Sequence, residues 1–153
     1  MKTSGRANRL FLLVLFGTLV MISPAQAAVS CHKINATGTG QDFGGGVTHA
    51  NINGGGLLNG TTVGNFTVIG FSPPVASFIG TVEFTTKQAT LTVTIAGILD
   101  VTTGEFSASG SVSSATGKLA GATGTLLFDG IEDLTNGSFV EDVTGVVCAD
   151  LSP

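Results

Sequence analysis

Apolar and polar residues alternate along most of this chain, with a period of two. The pattern is clearest at residues 89–100, ATLTVTIAGILD, where Leu91, Val93, Ile95 and Leu99 share one parity and Thr90, Thr92 and Thr94 the other. A period of two marks a strand with one buried and one solvated face. Threonine on the solvated face combines β-propensity with solubility. Residues 105–114, EFSASGSVSS, repeat the arrangement, with Phe106, Ala108 and Val112 set against Ser107, Ser109 and Ser111. Beyond the N-terminal segment, no stretch places apolar residues at the three- and four-residue spacing of a helix.

Turn signals punctuate these runs at intervals of roughly 10–15 residues. Asn53-Gly54, Asn59-Gly60 and Asn136-Gly137 suit tight hairpins, because both residue types tolerate positive φ. Thr103-Gly104, Thr116-Gly117 and Asp129-Gly130 are similar, and Pro73-Pro74 breaks pairing between two runs. The pattern predicts strands at 30–37, 47–52, 61–71, 76–86, 89–100, 104–114, 119–129 and 138–149. This is an all-β chain of about eight strands in an antiparallel meander. Such a meander buries its apolar faces by closing into an up-and-down β-barrel or by folding into a β-sandwich. Short, even connections favour the barrel. So do Gly97, Gly110, Gly121, Gly124 and Gly145, which lie in strand-like runs where glycine is costly unless the sheet bends sharply.

The first residues change the picture of where the chain works. Lys2, Arg6 and Arg9 precede a continuous apolar run at 10–22, and Ala25-Gln26-Ala27 follows as a small-residue cleavage site. That order is a secretory signal peptide. It predicts residues 1–27 as the signal, cleavage near Ala27, and a single domain at 28–153 that is secreted or periplasmic. No later segment is long and apolar enough to span a membrane as a helix. Removing the signal leaves three basic residues, Lys33, Lys87 and Lys118, against all ten acids, a net charge of −7. Nucleic-acid binding, which needs cations for phosphates, is excluded, and binding to an anionic membrane surface is disfavoured.

Cys31 and Cys148 stand near the two ends of the mature chain. In an oxidising compartment their default state is a disulfide. The rival reading is a lipid-modified Cys31, since Ala28-Val29-Ser30-Cys31 loosely resembles a lipobox, although it does not directly follow the apolar run. The chain has no Trp and no Tyr, and of its ten Phe only Phe11 and Phe16 lie in the signal. Phenylalanine lacks the polar handle that a sugar- or base-stacking site uses, so it suits a dry core or a dry pocket.

Residues 115–128, ATGKLAGATGTLLF, resemble the strand–turn–strand of allene oxide cyclases and dirigent proteins, and 80–151 resembles small exported bacterial proteins of the same barrel-like group. The resemblance implies an eight-stranded antiparallel barrel with an apolar cavity, in which the cyclases and dirigent proteins hold a reactive species in one conformation. It carries over no catalytic residue.

The remaining chemistry is sparse. His32 and His49 have no partners at metal-ligand spacing. The runs Gly38-Thr39-Gly40, Gly44 to Gly46 and Gly54 to Gly56 read as loops at one barrel end, because no helix follows to make a phosphate cradle. Asp129, Glu132 and Asp133 read as a solvated hairpin tip. No cofactor is implied. Glu141 is the single candidate acid or base: it shares parity with Phe139, Val143 and Val147, and would be raised in pKa if that face points inward. The opposite parity, with Val140 and Val146, is nearly as apolar, so orientation stays open. The expected function is binding or sheltering a small apolar molecule. The alternatives are a cyclase- or dirigent-type enzyme and a structural or adhesive surface protein. Which one holds turns on whether the barrel is hollow.

Overall fold

The computed structural model describes residues 28–151, so the segment read as a signal peptide lies outside the described residues. Eight strands follow one another: β1 (Ser30–Asp42), β2 (Val47–Asn53), β3 (Gly60–Ser72), β4 (Val75–Thr86), β5 (Thr90–Asp100), β6 (Glu105–Ala115), β7 (Thr123–Glu132) and β8 (Ser138–Ala149). Each pairs antiparallel with the next, and β8 returns to β1, so the sheet closes as an up-and-down barrel rather than a sandwich. The closing ladder runs unbroken from Ser30↔Ala149 to Gln41↔Ser138.

The alternation read from the sequence is the inside–outside alternation of the wall. Leu91, Val93 and Ile95 are buried, while their threonine neighbours face outward. Cys31 and Cys148 lie directly opposite each other in the β1–β8 register and are joined in a disulfide, with Cα atoms 3.9 Å apart. The pairing leaves no free thiol for a lipid on Cys31. A disulfide places the chain in an oxidising, extracytoplasmic setting.

The two barrel ends differ. At one end, the β2–β3 and β6–β7 connections each contain a single 3-10 turn, Gly56–Leu58 and Gly117–Leu119. These turns push Leu58 and Leu119 into the barrel, where both are buried and pack with Phe84, Leu91, Leu126 and Val147. That end, which also holds the disulfide, is sealed. The other end is bounded by the connections 43–46, 73–74, 101–104 and 133–137.

Several sequence expectations need correction. β1 does not stop at residue 37: Gly38, Gly40 and Asp42 continue the inward parity of Ile34 and Ala36. The glycines hid this, because they contribute nothing to an apolar count. The predicted strand 119–129 begins too early, since Leu119 is a plug and Gly121 turns the chain at φ 76° before β7 starts. Asn53-Gly54 and Asn59-Gly60 flank the Leu58 plug instead of making two-residue hairpins. The glycine runs are not loops at one end. The first lies within β1, the second at the unsealed end and the third at the sealed end.

Candidate ligand cavity

Four phenylalanines line the unsealed half of the barrel because of a repeated cross-strand pairing. Phe66 on β3 stands opposite Gly80 on β4, Phe78 on β4 opposite Gly97 on β5, Phe106 on β6 opposite Gly130 on β7, and Phe139 on β8 opposite Gly40 on β1. Each ring lies over its glycine. A Cβ on Gly80 would sit 2.6 Å from Phe66 Cδ1, one on Gly97 2.6 Å from Phe78 Cζ, and one on Gly130 2.5 Å from Phe106 Cζ. Glycine lets the ring fold down against the opposite strand, and the ring covers backbone that glycine leaves bare. Rings then meet, Phe66 with Phe78 from adjacent strands and Phe106 with Phe139 across β7. The Phe66 and Phe78 centroids are 5.4 Å apart, and Phe106 meets Phe139 edge-on at 6.0 Å. Both are favourable aromatic separations.

Rings laid against the wall leave space in the middle. A cavity of about 230 Å3 opens at the unsealed end, walled by these phenylalanines together with Phe128, Val82, Ile95 and Leu99. Thr48 and Thr62 add hydroxyls, and three carboxyls, Asp42, Glu132 and Glu141, complete the lining. An eight-stranded barrel has just the girth to enclose one small guest.

Glu141 faces inward, on the parity of Phe139 and Val143. Its register neighbours on both sides are glycines, Gly38 on β1 and Gly130 on β7. The side chain lies over Gly38, whose Cβ, if present, would be 2.6 Å from Glu141 Cγ and 2.7 Å from Oε1. Among the described residues no hydrogen-bond donor or basic group reaches this carboxyl. Burial pushes it up from the usual 4.5 to about 7, because the charged form loses part of its water and gains no hydrogen bond or ion pair among the described residues. Glu132 is raised as well, by burial and by the nearby Asp42 carboxylate. The sequence reading set Glu132 at a solvated tip, but it is the last inward residue of β7. Asp42 lies at the end of β1, beyond the stretch that the apolar pattern marks as strand.

The neighbouring mouth acids have a different task. Asp100 Oδ1 accepts bonds from the Thr102 hydroxyl and backbone at 2.6 and 2.8 Å, and Asp133 likewise binds Thr135 at 2.6 and 2.9 Å. Both carboxyls are held below their ordinary range, chiefly by those threonine hydroxyls. They shape the β5–β6 and β7–β8 turns. Neither histidine reaches the cavity. His32 meets Ser30 near the sealed end, and His49 packs edge-on with Phe43 on the outer side. No group of side chains suited to a metal ion occurs among the described residues.

Chemically, the site offers an apolar enclosure and one unpartnered carboxyl that changes charge near neutrality. No family model, curated protein or solved structure matches the chain.

Proposed function

We propose that the protein is an exported carrier that shelters a small apolar molecule inside its barrel. The observation that carries this reading is the cavity of about 230 Å3, walled mainly by phenylalanine and aliphatic side chains, in the half of the barrel away from the Leu58 and Leu119 plugs. The volume lies below the roughly 300–1,000 Å3 typical of pockets for drug-sized ligands, so the guest is small. Exposed Phe43, Phe71, Val101 and Leu134 around the mouth suit the capture of an apolar molecule from water. Export of the mature chain rests on the signal-like segment 1–27 and is supported by the disulfide. The hollow outer half of the barrel favours carriage over a purely structural or adhesive role.

Native mass spectrometry of protein purified from its own host tests the proposal. A co-purifying apolar molecule of defined mass is the expected result. A bare polypeptide mass under every gentle condition tried would count against it.

One observation favours a second reading, that of a cyclase- or dirigent-type enzyme. Glu141 stands in an apolar cavity with a pKa of about 7, where a carboxyl serves well as a general acid or base. The likeness of residues 115–128 to that group points the same way. In the barrel this segment forms the end of β6, the Leu119 plug and the start of β7. Turnover of a bound reactive species, abolished in Glu141→Gln, would establish the enzyme. Recovery of the guest unchanged would leave the carrier.

A further inference from the structure

We infer that the guest is an apolar amine, bound as its ammonium with the Glu141 carboxylate as counter-ion. The inference rests on the carrier reading and names the chemical class of guest for that same cavity.

Three observations converge on a cation. First, Glu141 lies in the wall of an apolar enclosure, and among the described residues no donor and no cation lies against it. A neutral guest would leave that carboxyl desolvated and unmatched, whereas an ammonium supplies both charge and hydrogen-bond donors. Second, every titratable group lining the cavity is an acid: Asp42 from β1, Glu132 from β7 and Glu141 from β8, with none from β2 to β6. The mature chain's three lysines are elsewhere. Lys33 is exposed two residues from Cys31, Lys87 lies in the β4–β5 turn, and Lys118 lies in the Gly117–Leu119 turn, all at the sealed end. All three cations thus lie at the end away from the cavity mouth. The mouth, with Asp42, Asp100, Glu132 and Asp133, draws cations in and turns a carboxylate guest away. Third, phenylalanine rings flank the carboxyl on the same wall and add attraction for a desolvated ammonium.

Protonation adds a signature that a merely apolar pocket lacks. The empty site takes up a proton on Glu141 below about pH 7. An ammonium must displace that proton, so its binding strengthens as pH rises through neutrality. A neutral guest of the same shape gains nothing from the change.

Isothermal titration calorimetry on the mature, disulfide-bonded protein with hexylamine, 1-hexanol and hexanoate tests this. At pH 8 hexylamine should bind at least ~10-fold more tightly than hexanol, with hexanoate weakest. The fold-change corresponds to one charge-assisted hydrogen bond. Between pH 8 and pH 5.5 hexylamine affinity should fall by about 10-fold or more, while hexanol affinity does not fall. Glu141→Gln should erase the amine preference, and Glu83→Gln, an equal charge change on the outer wall, should keep it. Equal binding of hexylamine and hexanol to the unaltered protein would overturn the inference and leave the carrier reading standing. Persistence of the amine preference in Glu141→Gln would overturn the role given to this carboxylate. Binding of none of the three at millimolar concentration would sink the carrier reading, and this inference with it.

Discussion

Replacing Glu141 by Gln removes a charge that folding makes costly, and the size of the effect follows from the site. The carboxyl titrates at about 7 in the folded protein, against a usual 4.5. Each tenfold difference in proton affinity is worth about 1.4 kcal/mol, so the folded state carries a penalty of about 3 kcal/mol once Glu141 is ionised. The sign follows from the raised value. The native state binds this proton more tightly than the unfolded chain does, so the penalty is absent below about pH 4.5, grows as pH rises, and is complete above about pH 7. Glutamine has no charge to desolvate, though its buried amide brings a constant cost of roughly 1–3 kcal/mol. That constant cancels in a comparison across pH. Reversible urea unfolding of both proteins, disulfide intact, should show the variant gaining about 3 kcal/mol relative to the parent between pH 4 and pH 8. For a domain of this size that is roughly 10 °C in Tm. The Glu132 shift arises from burial and Asp42, so it is common to both proteins and drops out. A stability difference that stays constant from pH 4 to pH 8 would refute the reasoning, because it would mean that water or a partner solvates the carboxylate.

Other outcomes follow from the same geometry. Gly97→Ala should destabilise the barrel by ~1–3 kcal/mol in urea, because its Cβ would lie 2.6 Å from Phe78 Cζ, from Ala108 Cβ and from the Ser107 carbonyl oxygen; a neutral effect would show that the ring is not seated on this glycine. Asp42→Asn should lower the Glu132 pKa in an NMR titration of the side-chain carboxyls, since the Asp42 charge helps raise it; an unmoved Glu132 would leave burial as the sole cause. Removing the bridge with Cys31→Ser and Cys148→Ser should cost about 4–5 kcal/mol by chain entropy across 117 residues of separation. The far-UV circular dichroism should nonetheless keep its strand signature, because the β1–β8 ladder extends to Gln41↔Ser138.

The wall of this barrel was legible in the sequence where both parities carry side chains. β5 reads directly, because Leu91, Val93 and Ile95 alternate with threonines that cannot be mistaken for core. The disulfide was legible too, since only two cysteines exist and they stand at opposite ends of the mature chain. Legibility failed where glycine replaced an inward side chain. The second half of β1 puts Gly38 and Gly40 on the lumen side, so an apolar count sees a loop where the ladder continues. Glu141 was a near miss of another kind. Both faces of β8 are apolar, with Val143 and Val147 inside and Val140 and Val146 substantially exposed, so hydrophobicity alone does not orient the strand. What orients it is long-range pairing with β1 and β7, which a single sequence does not display. The plugs were hidden for a similar reason: Leu58 sits in loop-like surroundings and Leu119 reads as the first residue of a strand, and both show their role only when the barrel closes around them.

The cross-strand Phe–Gly pairs make the interior a mosaic of tiles fixed in their places. In each pair one strand supplies a ring and its neighbour a bare glycine over which the ring lies, and backbone packed against that glycine makes the arrangement run one way only. Exchanging the partners, for instance Phe78→Gly together with Gly97→Phe, does not simply carry the ring one strand around, because a Cβ at 97 would still lie 2.6 Å from Ala108 Cβ and from the Ser107 carbonyl oxygen. A scaffold of this kind is re-tailored to new guests by resizing a ring on its own strand, with strand number, closure and the disulfide seam left as they are.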